Sequence, residues 1–88
     1  MSEPAYEIAW SPTARRALAK LPEKVGTAVV EFIYGPLANN PHRVGKGLRF
    51  DLEGLHSARR GDFRIVYRIA DQVTILAVEH RADIYRPR

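Results

Sequence analysis

Cysteine is absent from this chain. Disulfide staples and thiolate metal sites are thereby excluded, which fits a reducing compartment and leaves stability to packing or to a partner. Long apolar runs are missing as well. No window approaches the roughly 18 apolar residues of a membrane span, and no basic start with an apolar core behind it marks the N-terminus for export, so a cytoplasmic protein is expected. Acidic residues are the scarcer sign: 10 against 14 basic ones, a net charge of +4 over 88 residues. Such a balance says nothing about fold but favours anionic partners, whether nucleic acid, an acidic protein or an anionic surface. A chain this short buries about 60–65% of its unfolded surface and supports one core, so residues 1–88 are expected to form a single domain.

What is present alternates between two periods. "AYEIAW" puts Tyr6, Ile8 and Trp10 on one parity, as a short strand does. "SPTARRALAKL" then offers Ser11 as N-cap, Pro12 at the first helical position, and a stripe of Ala14, Ala17, Leu18 and Leu21, leaving Arg15, Arg16 and Lys20 outside. After Pro22, helical spacing resumes through Val25, Ala28, Val29, Phe32 and Ile33 until "YGP", so two helices in a hairpin are predicted. Gly35 to Gly47, rich in Gly, Pro and Asn, reads as a connecting loop carrying His42, Arg43 and Lys46. Three β-rich runs follow, "LRFDLEGLHSAR", "DFRIVYRI" and "QVTILAVEHR", with turn signals at Gly54, Gly61-Asp62 and Ala70-Asp71-Gln72. The expected fold is therefore α+β: an N-terminal strand, a two-helix hairpin, then an antiparallel β-meander with the helices on one face.

Charge on the other face of that meander is carried by arginine. Phe63, Ile65, Tyr67 and Ile69 share one side, Arg64, Val66 and Arg68 the other. A two-residue hairpin loop at Asp71-Gln72 would set Arg68 opposite Ile75 and Arg64 opposite Glu79, with Arg81 on the diagonal from Arg64. Of the adjacent Arg59 and Arg60, alternation allows only one to join Arg64. Basic residues on an exposed strand commonly serve solubility alone. Arginine, however, has a planar fork that binds phosphate bidentately and stacks on bases. The tail "HRADIYRPR" adds Tyr85, a phenol able to stack on a base or move a proton. His42, His56 and His80 have no ligand spacing, and neither a phosphate loop nor a dinucleotide fingerprint occurs, so no metal or cofactor is expected. Lys46, in "GKGL", counts as one more loop cation.

"GLHSARRGDFRIVYRI" followed by "EHRADIYR" resembles the RelE family of bacterial toxins, whose members show a Gly-Asp-aromatic-Arg-aliphatic-aliphatic-Tyr run and a terminal His-Arg-x-Asp-x-Tyr-Arg. "SPTARRALAKLP" is similar to the family's first helix and "NPHRVGKGLRFDLEGL" to its approach to the sheet. The resemblance implies a RelE-like microbial ribonuclease fold that enters the 70S ribosome and cuts messenger RNA without a metal, checked by an acidic RelB-like antitoxin and with a toxin–antitoxin complex on operator DNA as a further assembly. Cleavage would run by 2′-hydroxyl attack on the phosphate. Arg64 would then hold the phosphate, Arg81 steady the transition state or protonate the leaving oxygen, and Tyr85 orient the substrate or act as acid or base. Lys46, Arg59, Arg60 and Arg68 would bind RNA, Arg59 being the arginine that joins Arg64.

The sequence departs from the family where lysines stand on the strand before the Gly-Asp turn, one of them the general base. Ser57 occupies that position and has no useful basicity, leaving Arg59, His56, Lys46 or a ribosomal group to compensate. Two other readings stand beside the nuclease: a ParE-like toxin that blocks DNA gyrase by binding, and a non-catalytic corepressor whose arginines contact the antitoxin.

Overall fold

The stop between the first strand and the first helix is a single residue, Ser11, and it organises more than a cap. In the computed structural model, which describes residues 5–48 and 54–80, the Ser11 hydroxyl accepts from the Ala14 N–H at 3.0 Å and donates to the Leu76 carbonyl at 3.0 Å. Its own N–H donates to the Ile75 carbonyl at 2.9 Å. The start of the helix and the last strand are thus tied through one side chain.

The elements run β1 (Ile8–Trp10), α1 (Pro12–Ala19), α2 (Glu23–Phe32), a π-helical turn (Ile33–Leu37), α3 (Pro41–Val44), β2 (Lys46–Gly47), β3 (Leu55–Arg60), β4 (Phe63–Ile69) and β5 (Val73–His80). The strands form one sheet in the order β1-β5-β4-β3-β2. β3, β4 and β5 make the expected antiparallel meander, β2 extends it antiparallel to β3, and β1 joins the far edge parallel to β5. A parallel partner requires a long crossover, which the helical region supplies.

The expected loop from Gly35 to Gly47 is not one. The helical chain continues through Tyr34, Gly35 and Pro36 as a π turn, and α3 and β2 follow. Proline removes a helical N–H donor and clashes with the carbonyl four residues back; widening the turn removes both conflicts. Apolar spacing continues across the turn, and Val29, Ile33 and Leu37 are all fully or almost fully buried. The Gly and Pro signals were genuine turn signals, overridden by burial.

Helices and sheet meet in one core. Ala14, Val29, Ile33 and Leu37 pack on Ala58, Ile65, Tyr67, Val73, Ile75 and Val78 of the sheet. Full burial of each larger apolar side chain contributes about 1.5–3 kcal/mol. Tyr67 is the largest of the fully buried side chains, and its hydroxyl donates to the Pro41 carbonyl at 2.7 Å. Burial pushes its phenol up to about 12.

Candidate functional site

The open face of the sheet is set by two turns and a bulge. Gly61, at φ 62°, takes the left-handed conformation that the tight Gly61-Asp62 turn requires, and Arg60 pairs with Phe63. This register puts Arg59 directly opposite Arg64. The second hairpin differs from expectation: its loop is Ala70-Asp71-Gln72, with Ile69 paired to Val73 and Arg68 to Thr74 instead of Ile75. Arg64 nevertheless lies opposite Glu79, because the register shifts between Val66 and Tyr67: Tyr67 pairs with Ile75 but Val66 with Ala77.

Leu76, left without a partner, reverses the parity of β5. Val73 and Ile75 point to the core before it, Val78 after it, and Glu79 is thereby turned to the open face. There the Arg64 Nε donates to the Glu79 Oε1 at 3.2 Å, with both side chains about two-fifths exposed (38% and 41%). A pair this exposed contributes at most about 1 kcal/mol.

Lys46 completes the group from the neighbouring strand, paired with Ser57. Val44, Gly45, Lys46, Ser57, Arg59 and Arg64 line a cleft of about 460 Å³. Its floor depends on Gly45, where a Cβ would collide with the Tyr67 hydroxyl and the Ser57 carbonyl. The close approach of that backbone brings β2 onto β3 and delivers Lys46 beside Ser57. Like charges directly opposite on paired strands are destabilising, so the Arg59/Arg64 juxtaposition is not explained by stability. Two planar forks and an ammonium on one cleft are groups able to bind an anion, and the Glu79 carboxylate contacts one of them from the neighbouring strand.

Of the residues expected at the site, Lys46, Arg59 and Arg64 come together. Arg68 lies on the same face, four residues along β4, opposite Leu55 and Thr74, about 13 Å away at strand rise. Arg60 is not part of the group. It takes the opposite parity, opposite Phe63, and borders a separate groove with Lys24, Val25 and Ala28 of α2. Arg81 and Tyr85 lie outside the described residues. His56, weighed as a base, also faces the helix side: it stacks on Tyr67 at 5.6 Å between ring centroids and meets the edge of His42 at 5.8 Å. Its Nδ1 is buried and makes no hydrogen bond among the described residues. Glu79 is the group that the sequence reading placed opposite Arg64 without assigning it to the site. Its signal was the cross-strand register. Among the described residues, no group of three or more His, Asp or Glu side chains is placed to hold a metal ion.

Fold and face together define a small α+β protein whose sheet carries a basic open face and is backed by a helical layer. Over residues 8–85 the chain matches the family model of the ParE toxin of type II toxin-antitoxin systems. It is 57% identical over 84 residues to Toxin RelE of Mycobacterium tuberculosis, spanning 92% of this chain and 87% of that protein. To Toxin RelG of the same organism it is 55% identical over 84 residues, 92% of this chain and 97% of that one. The fold is similar to that in the crystal structure of the toxin-antitoxin complex RelBE2 from M. tuberculosis, with a TM-score of 0.83, 51% identity, and coverage of 90% of this chain and 94% of that one. The isolated RelE toxin of E. coli, 19% identical, shares the fold at a TM-score of 0.73 over 92% of both chains. The chain therefore belongs to the RelE/ParE family and is a toxin of a type II toxin–antitoxin system of the RelE type.

Proposed function

We propose that this toxin is a cytoplasmic, ribosome-dependent messenger RNA endonuclease. The observation that carries the reading is the convergence of Lys46, Arg59 and Arg64 on one cleft of the open sheet face, where Arg59 and Arg64 stand directly opposite one another. A phosphodiester fits. Arg64 grips the scissile phosphate, Arg59 and Lys46 neutralise the charge that builds on it, and Arg68 meets the strand further along β4. The 2′-hydroxyl attacks phosphorus, giving a 2′,3′-cyclic phosphate and a free 5′-hydroxyl; Arg81 and Tyr85 steady the leaving oxygen and the base. Preorganised cations of this kind are worth most where water is excluded, and alignment of the attacking hydroxyl in the ribosomal A site supplies the rest.

An acidic RelB-type antitoxin competes for the same arginines, and the pair assembles on operator DNA. This partner reading draws support from the similar RelBE2 toxin-antitoxin complex. One rival is favoured by a specific finding, the ParE description of the matching family model: a toxin that binds DNA gyrase and cleaves nothing.

Primer extension on a defined messenger in a reconstituted translation system separates the two. New 5′ ends at A-site codons are expected with the wild type and ribosomes, and are not expected with naked RNA or with Arg64→Ala. An uncut messenger, with growth still arrested in cells and supercoiling by gyrase inhibited, would move the function to the rival.

A further inference from the structure

We propose that Glu79 is the general base of the cleavage reaction, accepting the proton of the attacking 2′-hydroxyl; this rests on the nuclease reading above. Serine at position 57 leaves strand β3 without a proton acceptor at the cleft. His56 is on the wrong side of the sheet, stacked on Tyr67, and arginine stays protonated at any working pH. Among the described residues, the nearest carboxylate comes from the neighbouring strand: Glu79 does not line the cleft but contacts Arg64, which does, and a carboxylate is acceptor-only when ionised.

Three observations place it there by construction. First, the side chain is turned outward by a bulge: strict alternation from Val73 and Ile75 would have buried position 79, and the unpartnered Leu76 reverses it. Bulges are over-represented beside active sites, where they re-aim a side chain. Second, the bulge is held rather than tolerated. Ser11 bonds both the Ile75 and Leu76 carbonyls, so the same residue that caps α1 keeps Glu79 on the open face. Third, the contact with Arg64 uses the Nε and leaves the two terminal nitrogens of the fork, with four N–H groups, for a phosphate. A carboxylate on Nε and a phosphate on the terminal nitrogens lie side by side on one rigid plane. The contact uses Oε1 alone, and Oε2 makes no hydrogen bond among the described residues.

The step balances within these groups. The 2′-oxygen forms its bond to phosphorus as its proton passes to the Glu79 carboxylate, and the bond from phosphorus to the 5′-oxygen breaks. The leaving 5′-oxygen takes a proton from solvent water or from an acidic group beside it, and the protonated carboxyl returns its proton to solvent. Arg64 has a double function, holding the phosphate and orienting the base.

The same contact has a competing explanation, that Glu79 merely neutralises Arg64 until an anion displaces it, and the two predict opposite results. The experiment is single-turnover cleavage on programmed ribosomes by wild type, Glu79→Gln and Glu79→Asp, with affinity for the same ribosomes measured in parallel and folding checked by thermal melting. As base, Glu79→Gln loses on the order of 10²–10⁴-fold in rate with binding unchanged or tighter, and Glu79→Asp recovers part of the loss because it keeps the proton acceptor. Cleavage by Glu79→Gln at or above the wild-type rate would overturn the proposal and leave the nuclease reading standing. Equal losses in both variants would also overturn it, since the geometry of the Arg64 contact would then matter and the carboxylate's basicity would not. Absence of cleavage by the wild type would instead remove the nuclease reading itself.

Discussion

The two faces of the same three strands differ more than any two segments of the chain. On the helix side Ala58, Ile65, Tyr67, Ile75 and Val78 are buried and their polar needs are met, the Tyr67 hydroxyl by the Pro41 carbonyl. On the open side Arg59 faces Arg64 across a ladder, Arg64 leans on Glu79, and Lys46 stands over Ser57. One face concentrates buried apolar contacts and the other concentrates charge. Alternation at period two allows both to be written into single strands, and allows them to be tested separately.

Ile65 and Arg64 are neighbours in sequence and opposite in role. Ile65→Ala should destabilise the fold by about 2–5 kcal/mol, through lost transfer energy and the cavity left behind, as read from urea unfolding. Arg64→Ala should change stability by no more than about 1 kcal/mol, the upper value for so exposed an ion pair. Its cost should instead appear in cleavage, on the order of 10²–10³-fold for loss of one preorganised donor to the phosphate. A variant of Arg64 that unfolds the protein would mean that the two faces are not separable.

Tyr67 tests the buried face in a way that no open-face residue shares. Burial raises its phenol to about 12 against about 10 in the unfolded chain, so the unfolded state ionises first. Its contribution is fully present below about pH 10 and is lost as pH rises towards about 12, a change of roughly 3 kcal/mol if the whole shift is expressed. Tyr67→Phe should remove this alkaline slope while losing about 1 kcal/mol at neutral pH for the hydrogen bond to Pro41. Parallel slopes for the two proteins between those pH values would exclude Tyr67 as its source.

Ser11 joins the faces. Ser11→Ala should cost about 1–2 kcal/mol as a lost N-cap, and it also leaves the Leu76 carbonyl without its hydroxyl donor. If the bulge depends on that bond, the loss of cleavage should exceed what the loss of stability explains at a temperature where the variant is fully folded. Loss of stability alone would restrict Ser11 to capping.

How far the sequence carried these assignments follows from which residues are constrained by local rules. The cap at Ser11, the stripe through Ala14, Ala17 and Leu18, and the turn at Gly61 were legible because each rests on near neighbours. The π turn across Gly35 and Pro36 was not, since burial of Ile33 and Leu37 decides it from outside the segment. The pairing of Arg64 with Glu79 was anticipated from a two-residue loop that is absent. A longer loop and an extra residue at Leu76 offset one another, and neither leaves a signature in a period-two pattern. Lys46 was read as a loop cation because its strand is only two residues long. Its place in the cleft depends on the packing of Gly45 against Tyr67 and Ser57, contacts distant in sequence.

The smallest expected effect concerns Arg59 and Arg60, which are chemically identical and adjacent. The pleat sends Arg59 to the cleft beside Arg64 and Arg60 to the groove bordered by Lys24, Val25 and Ala28. Arg59→Ala should slow cleavage and weaken binding to programmed ribosomes, with a reduced salt dependence, because a phosphate contact is lost. Arg60→Ala should leave the cleavage rate unchanged and shift stability by no more than about 0.5 kcal/mol. Equal losses from the two substitutions would break the comparison of faces. A one-residue slip of β3 against β4 exchanges the faces of the β3 side chains, so that result would put Arg60 in place of Arg59 on the face that carries Arg64. Unequal losses in the stated direction would confine the phosphate to the open face by a measurement that uses no core residue.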